Sequence, residues 1–319
     1  GDLACIADYS YGLHVLNIAG GTAVHVGSVQ TGLSPTQSGQ PIAVCVSGDY
    51  AYLAMNGANS TRGKKVIIFR VRDPNNPHYA PTPVGEIKAD GEVYDVHVQG
   101  TRCYLVDKTQ TLAQYDVSTP SLPRFLDKVS DIPAEYVFAT DTHVFASTGA
   151  AVGANQGVHV FKAAGLEPCS HMDNRPAHAL KVSGNLAYIA RREYGFQVRD
   201  VTNPCQSTVV LNGNSPELGQ VKAVDVSSPF LFQGSGQGLF VMQVVTEQRT
   251  CLVDYCAVLT VPGRAGERFE IQYSMEIQNP ITWHTLLTIV IAADGSPYVH
   301  TDLDSRTSAR RFYRAIPLD

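Results

Sequence analysis

The chain is poor in charge. Lys, Arg, Asp and Glu make up 17% of its 319 residues, where ordinary globular chains carry about 25%. The 24 basic residues are outnumbered by 29 acidic ones, for a formal net charge of −5. The positive field that a phosphate backbone rewards is therefore missing, and no nucleic-acid partner is expected. Long apolar runs are missing too. The longest, residues 286–293 (LLTIVIAA), is closed by His284 and Thr285 on one side and Asp294 on the other, far below the ~20 residues of a membrane helix, so no membrane span is expected. There is no CxxC, no HExxH and no DxDxDG loop, which leaves zinc knuckles, redox pairs and calcium loops without support. The run Gly234-Ser235-Gly236-Gln237-Gly238 lacks both a phosphate-loop lysine and the strand–turn–helix setting of a nucleophile elbow. Neither a cofactor nor a metal is expected. The opening Gly1-Asp2-Leu3 has no basic, then apolar, leader pattern, which fits an intracellular chain or one whose leader has been removed.

What the chain does have is 44% hydrophobic residues and 27 glycines, a folded and turn-rich composition. Its length predicts about two domains. Its strongest feature is repetition. Residues 43–54 (AVCVSGDYAYLA), 96–106 (VHVQGTRCYLV) and 180–190 (LKVSGNLAYIA) are copies of one unit, with degenerate copies at 138–146 and 224–232. Residues 1–7 are the same unit without its first strand. Equivalent positions fall at residues 4, 51, 103, 144, 187 and 231, spaced 47, 52, 41, 43 and 44 apart. Each copy continues into an apolar alternation, as in 12–16 (GLHVL), 157–161 (GVHVF) and 195–198 (GFQV). Three then reach a Pro-bearing turn: 73–77 (DPNNP), 116–120 (DVSTP) and 200–204 (DVTNP). A fourth strand follows, as in 83–87. No stretch keeps a helical period over ten residues. Four short strands per repeat with tight turns between them predict an all-β chain built as a β-propeller, with six blades on the repeat count and seven if a further segment completes the ring. The first repeat lacks its inner strand, and residues 257–263 (AVLTVPG) are one candidate to supply it.

These blocks, best where VSGxxAYxA is followed by GxxVxDVxxP, resemble LVIVD repeats of β-propellers in secreted or surface bacterial and archaeal proteins. The resemblance covers residues 1–262 as the propeller and implies a fold without implying an activity. From residue 263 to 319 the pattern changes to strands at 268–274, 283–287, 298–302 and 311–316, with a hairpin turn at 293–296. This stretch resembles the small sandwich-like C-terminal β-module ending in RFYRA found in large secreted bacterial proteins, which favours export.

Seven cysteines leave at least one unpaired. Cys5, Cys45 and Cys103 lie within apolar alternations and read as buried thiols. Cys169 with Cys205, and Cys251 with Cys256, are the disulfide candidates.

In a propeller the fourth-to-first strand links and the second-to-third strand loops share one face, where ligands bind. The residues opening each inner strand are Ile42, Tyr94, Tyr136, His178 and Lys222, a ring around the funnel mouth, with Asp95 and Glu135 beside it. Such a ring either fills and solvates the mouth or holds an anionic or sugar-like ligand by hydrogen bonds and stacking. Long small-residue segments at 31–41, 55–64 and 147–156 fall on the same face, the middle one with a glycosylation sequon at Asn59-Ser60-Thr61. The strand histidines His14, His97 and His159 read as structural, and Asp302 and Asp304 as solvated. Three functions follow. The first is a secreted or surface binding scaffold that meets a protein or glycan on the looped face. The second is a polysaccharide lyase or hydrolase using Tyr94, Tyr136, His178 and Lys222 as acid and base. The third is a subunit of an extracellular assembly joined through the C-terminal module.

Overall fold

The computed structural model describes all residues except 1, 32–38, 58–62, 74–79, 150–155, 173–174, 214–219, 228–229, 236–237, 248–249, 256, 262, 275–281, 303–311 and 319. The tips of the three long segments, the sequon, the centre of the glycine run at 234–238, Asp304 and most of the 73–77 turn therefore lie outside the described residues. The chain forms two compact units. One is Gly1–Asp225 with Ser235–Gln237, the other Val226–Gly234 with Gly238–Asp319. Among the described residues no helix is long and apolar enough to cross a membrane.

The first unit is built of antiparallel sheets whose strands follow one another in chain order. The first sheet has three strands, β1 (Leu3–Asp8), β2 (Gly12–Asn17) and β3 (Val24–Gln30). The next four have four strands each. They are β4 (Gln40–Ser47), β5 (Tyr50–Asn56), β6 (Lys65–Arg70) and β7 (Thr82–Lys88); β8 (Val93–Gln99), β9 (Arg102–Asp107), β10 (Thr111–Asp116) and β11 (Arg124–Val129); β12 (Tyr136–Ala139), β13 (His143–Thr148), β14 (Gly157–Lys162) and β15 (Pro168–Met172); and β16 (Ala179–Ser183), β17 (Leu186–Ala190), β18 (Phe196–Asp200) and β19 (Thr208–Gly213). The sixth repeat supplies β20 (Val221–Ser227), β21 (Phe230–Ser235), β22 (Gly238–Glu247) and β23 (Thr250–Tyr255), of which all but Val221–Asp225 and Ser235 belong to the second unit. Each repeat read from the sequence is thus one sheet. The turn between the first two strands recurs because Gly48, Gly100 and Gly184 all take φ of 57–59°, a left-handed conformation that glycine adopts without a Cβ penalty.

The tyrosine strands are apolar at consecutive positions because they are buried on both faces. Ala51, Leu53 and Met55 of β5 pack with Leu13 and Val15 of the first sheet, whereas Tyr52 and Ala54 pack with Val96, Val98 and Leu105 of the third. Likewise Val144 and Ala146 of β13 join Tyr104 and Val106, and Phe145 joins Ala187 and Ile189. The two-residue strand period sends alternate side chains to opposite neighbours, so the second, third and fourth sheets are each cemented on both sides.

The outer edges are joined by a second device. In each of the first five sheets the pairing of the last two strands is broken by a bulge. A bulge bends a strand and re-aims its residues, and in the first, second and fourth sheets the turn of the next repeat seats beside it. Gly27 of β3 abuts Ala80 and Pro81. Gly85 of β7 lies against the Pro120 carbonyl so closely that a Cβ would strike it. At the corresponding place Ser170 of β15 donates its hydroxyl to the Pro204 carbonyl at 3.0 Å. Between the third and fourth sheets, where no Pro-bearing turn exists, the Ala163 carbonyl instead accepts from Gln114 Nε2 at 2.8 Å and Arg102 Nη1 at 3.2 Å. The turns themselves are held by their aspartates. Asp116 accepts from the Ser118 amide and Asp200 from the Thr202 amide, as their Asp-led sequences predict.

In the second unit β24 (Ala257–Val261) pairs with β27 (Tyr298–Asp302), and β25 (Arg268–Ser274) lies between β26 (His284–Val290) and β28 (Phe312–Leu318). All four strands expected after residue 263 form. Two expectations change. Residues 257–261 pair with β27 and not with the first sheet, which stays three-stranded. The turn at 293–296 forms, with the Gly295 amide on the Ala292 carbonyl, but it connects strands of two different sheets and is not a hairpin.

Replacing Gly85 by Ala should lower stability by about 1–3 kcal/mol through overpacking, read as a lower urea midpoint. The same change at Gly48, where no atom lies near the missing Cβ, should carry only the cost of a left-handed alanine. Equal stability of Gly85→Ala and wild type would remove the outer joint from the account.

Candidate functional site

The ring residues sit where the inner strands begin. In β4 and β8 the register with the second strand skips one residue, and the skipped residues are Ile42 and Tyr94, bulges of the kind found beside functional sites. Ile42 contributes an exposed apolar side chain. Tyr94 is half-buried, and burial raises its phenol above the ordinary range, Glu135, Glu92 and Asp107 adding to the rise and Lys108 opposing it.

Three of the predicted residues come together directly or through one neighbour. Tyr136 Oη lies 2.9 Å from His178 Nδ1, their rings 5.4 Å apart. Burial pushes Tyr136 up to about 12, helped by the nearby Glu135 and Asp95 carboxylates. Burial holds His178 below its ordinary range, and the charges of Arg192 and Lys222 push the same way. Lys222 is exposed on β20. Glu135 is raised by burial against the opposing pull of Arg192. Its carboxylate occupies the space that a side chain at Gly149 would need.

Asp95 has a different occupation. Its Oδ1 accepts from its own neighbour, the Val96 amide, and its Oδ2 from the Val137 amide on β12, both at 2.9 Å. It ties two inner strands together with both oxygens. Burial lifts its carboxyl to about 7 against the pull of those two amides.

Sequence reasoning missed Arg192. The loop from β17 to β18 (RREYG) places its backbone at φ +51° and fastens it to Val221 by two hydrogen bonds, 2.9 and 3.0 Å. A non-glycine residue in this region is sparsely populated and persists where its surroundings hold it. Arg192 Nε is 4.0 Å from the Glu193 carboxylate. Arg192 Nε and His178 Nε2 are both buried without a hydrogen-bond partner among the described residues. The signal available in the sequence was the pair of adjacent arginines, Arg191-Arg192, that opens this short turn.

Comparison with known proteins agrees with this architecture. Residues 38–59, 90–131 and 174–214 match the LVIVD repeat family. The chain carries LVIVD repeats. The solved structures similar to it include the computationally designed Ika8 protein, at 12% identity and TM-score 0.54 over 94% of this chain and 80% of that one. They also include BamB from Moraxella catarrhalis, at 14% identity and TM-score 0.53 over 76% of this chain and 69% of that one. Likeness at such identities is a likeness of fold, and the fold is a β-propeller. No curated protein matches the chain. The LVIVD segments end at residue 214, so the C-terminal RFYRA resemblance stays one of sequence alone.

Elsewhere in the first unit, Cys169 and Cys205 form a disulfide, as one of the two expected pairings. The other, Cys251 with Cys256, lies outside the described residues. Cys5, Cys45 and Cys103 are free thiols, Cys103 fully buried and the other two half-buried. Burial raises Cys5 and Cys45 to about 11, which leaves them unreactive as nucleophiles near neutral pH. The strand histidines act in packing. His97 stacks on Phe138 at 4.5 Å and burial takes it down to about 4, His159 stacks on His171, and His14 Nδ1 lies 3.1 Å from Ser28 Oγ.

Replacing Asp95 by Asn should cost about 1–3 kcal/mol, because an amide can accept from only one of the two backbone donors through its single oxygen. With a folded value near 7 and an unfolded one near 3.9, Asp95 contributes its stability fully below about pH 4 and loses it as pH rises through 7. The gap between wild type and Asp95→Asn in urea should therefore narrow from pH 5 to pH 8. A gap that widens with pH would contradict the assignment.

Proposed function

We infer that this protein is a binding scaffold which holds an anionic, hydroxyl-rich ligand, of the acidic-oligosaccharide class, at the inner-strand mouth formed by Tyr136, His178, Arg192 and Lys222. The observation that carries the reading is a pair of buried nitrogens in one cluster, His178 Nε2 and Arg192 Nε, that have no hydrogen-bond partner among the described residues. Such groups are costly to leave unpaired. The Tyr136 phenol, held at about 12, keeps its proton and donates it to His178 Nδ1. That fixes the neutral imidazole with its hydrogen on Nε2. Nε2–H, the guanidinium and the Lys222 ammonium are then three donors for one acceptor-rich ligand. The stacked Tyr136 ring adds an apolar face of the kind that sugars use.

The same tuning speaks against Tyr136 as a catalytic base near neutral pH, so binding is favoured over the lyase or hydrolase reading. Export to an oxidising compartment, with the propeller as a rigid platform, is supported by the Cys169–Cys205 disulfide, since such bridges persist outside reducing cytosol.

Calorimetric titration with uronate oligosaccharides and with their uncharged counterparts tests this. Wild type should bind the uronates only. His178→Ala and Arg192→Ala should each lose about tenfold or more, equivalent to ~1.4 kcal/mol. Affinity should rise at acid pH, below the ordinary imidazole range, where His178, held down by burial, gains charge. Uronate binding unchanged in both variants, or none in wild type, overturns the reading. A chain-cleaved product in the titration cell would transfer the site to the lyase or hydrolase reading.

A further inference from the structure

The joint between the fourth and fifth sheets carries more than a staple. His143 opens β13, Cys169 lies on β15, and Cys205 sits in the short 3-10 turn Pro204–Gln206. Their ligand atoms, one imidazole nitrogen and two sulfurs, all lie within 4.8 Å of one another, and all three residues are half-buried. His143 Nε2 is 3.6 Å from Cys205 Sγ. In a tetrahedral site with Zn–S near 2.3 Å and Zn–N near 2.05 Å, the sulfur and nitrogen ligands stand about 3.6 Å apart. The imidazole already keeps that spacing.

The surroundings are arranged accordingly. His143 Nδ1 is taken by Thr142 Oγ1 at 2.9 Å, which leaves Nε2 for the sulfur side, as an outer partner does for a metal-bound histidine. The turn bearing Cys205 is held by Asn203 Oδ1, which accepts the Cys205 amide at 3.2 Å, and by Ser170, whose hydroxyl reaches the Pro204 carbonyl. The backbones on both sides therefore stay placed when the covalent bond is absent.

We propose that this joint is a redox-gated metal site, stapled by Cys169–Cys205 when oxidised and able to hold one Zn2+ through the two thiolates and His143 Nε2 when reduced. Opening the site is thiol–disulfide exchange. A small dithiol gives up two electrons and two protons and becomes a cyclic disulfide, while the protein S–S bond breaks to two thiols. Binding of Zn2+ then releases those two protons and forms two Zn–S bonds and one Zn–N bond, with the sulfurs parted to about 3.8 Å. The fourth position stays open to an exogenous ligand. Two thiolates and one imidazole suit zinc and its tetrahedral relatives over magnesium or calcium. The ring site of the proposed function is not involved.

The test uses the full chain, reduced with a phosphine that does not compete for metal, and titrated with Zn2+ or with Co2+ as a coloured substitute. Reduced wild type should bind one equivalent tightly, with the intense visible bands of tetrahedral cobalt and a thiolate-to-cobalt absorption, and oxidised protein should show none of this. Zinc should slow alkylation of Cys169 and Cys205 at least tenfold while leaving Cys5, Cys45 and Cys103 unchanged. His143→Ala, which keeps the disulfide and whose fold can be checked in the oxidised form, should weaken zinc binding tenfold or more after reduction. A thiolate–cobalt signal that survives in His143→Ala and in the Cys169→Ser/Cys205→Ser double variant overturns the proposal. So does the absence of metal binding by reduced wild type, or a reduced chain that unfolds and does not regain its circular dichroism when zinc is added.

Discussion

A four-stranded sheet that is apolar on both faces cannot stand by itself in water, because each face needs another sheet to cover it. That constraint shapes the first unit. Alternate residues of the central strands pack into different clusters, Leu53 toward the first sheet and Tyr52 toward the third. Burial of this kind holds sheets together but is non-directional, so the angle and register between neighbours need directed contacts. Those occur in two places. At the inner edge, Asp95 accepts amides from its own strand and from Val137 of the next. At the outer edge, a bulge lets a turn carbonyl or ring approach a residue without a bulky side chain, as at Gly27, Gly85 and Ser170.

The candidate site is a by-product of the same packing. When inner strands begin side by side, their first residues are neighbours whatever they are, and here they are Tyr136, His178 and Lys222. Partial burial then does the electrostatic work. It raises the phenol, lowers the imidazole and raises Glu135, each in the direction that disfavours its charged form. Arg192, pinned to Val221 by its backbone, adds a fixed cation beside the Tyr136 phenol and the His178 imidazole. The joint holding Cys169, Cys205 and His143 is likewise one outer-edge contact elaborated with chemistry, since Cys169 and Cys205 adjoin the Ser170–Pro204 pair found there.

The repeat was readable in the sequence because its signals are local. A Gly at the first turn, a continuous apolar second strand and an Asp-led turn each follow from φ preference, burial on both faces, or side-chain capping. The ring positions were readable for the same reason, being one alignment column. Contacts that cross from one repeat to the next were not. Nothing local marks Gly85 as the seat of Pro120, or Asp95 as the acceptor for Val137, which is why Asp95 reads as a ligand-side carboxylate in the sequence and serves as a tie in the structure. Arg192 was missed because its place depends on a backbone bridge to a residue 29 positions later in the chain. The pairing of residues 257–261 stayed open in the sequence because an apolar run announces a strand without naming its partner.

The central claim is that adjacent repeats are coupled by directed joints as well as by apolar packing. Native-state hydrogen exchange of the Val96 and Val137 amides, followed through increasing sub-denaturing urea, tests it most directly, because both donate to Asp95 from different sheets. The account predicts that the two amides converge on one opening free energy and one denaturant dependence. Val137 exchanging through a separate, lower-energy opening while Val96 remains protected would contradict it.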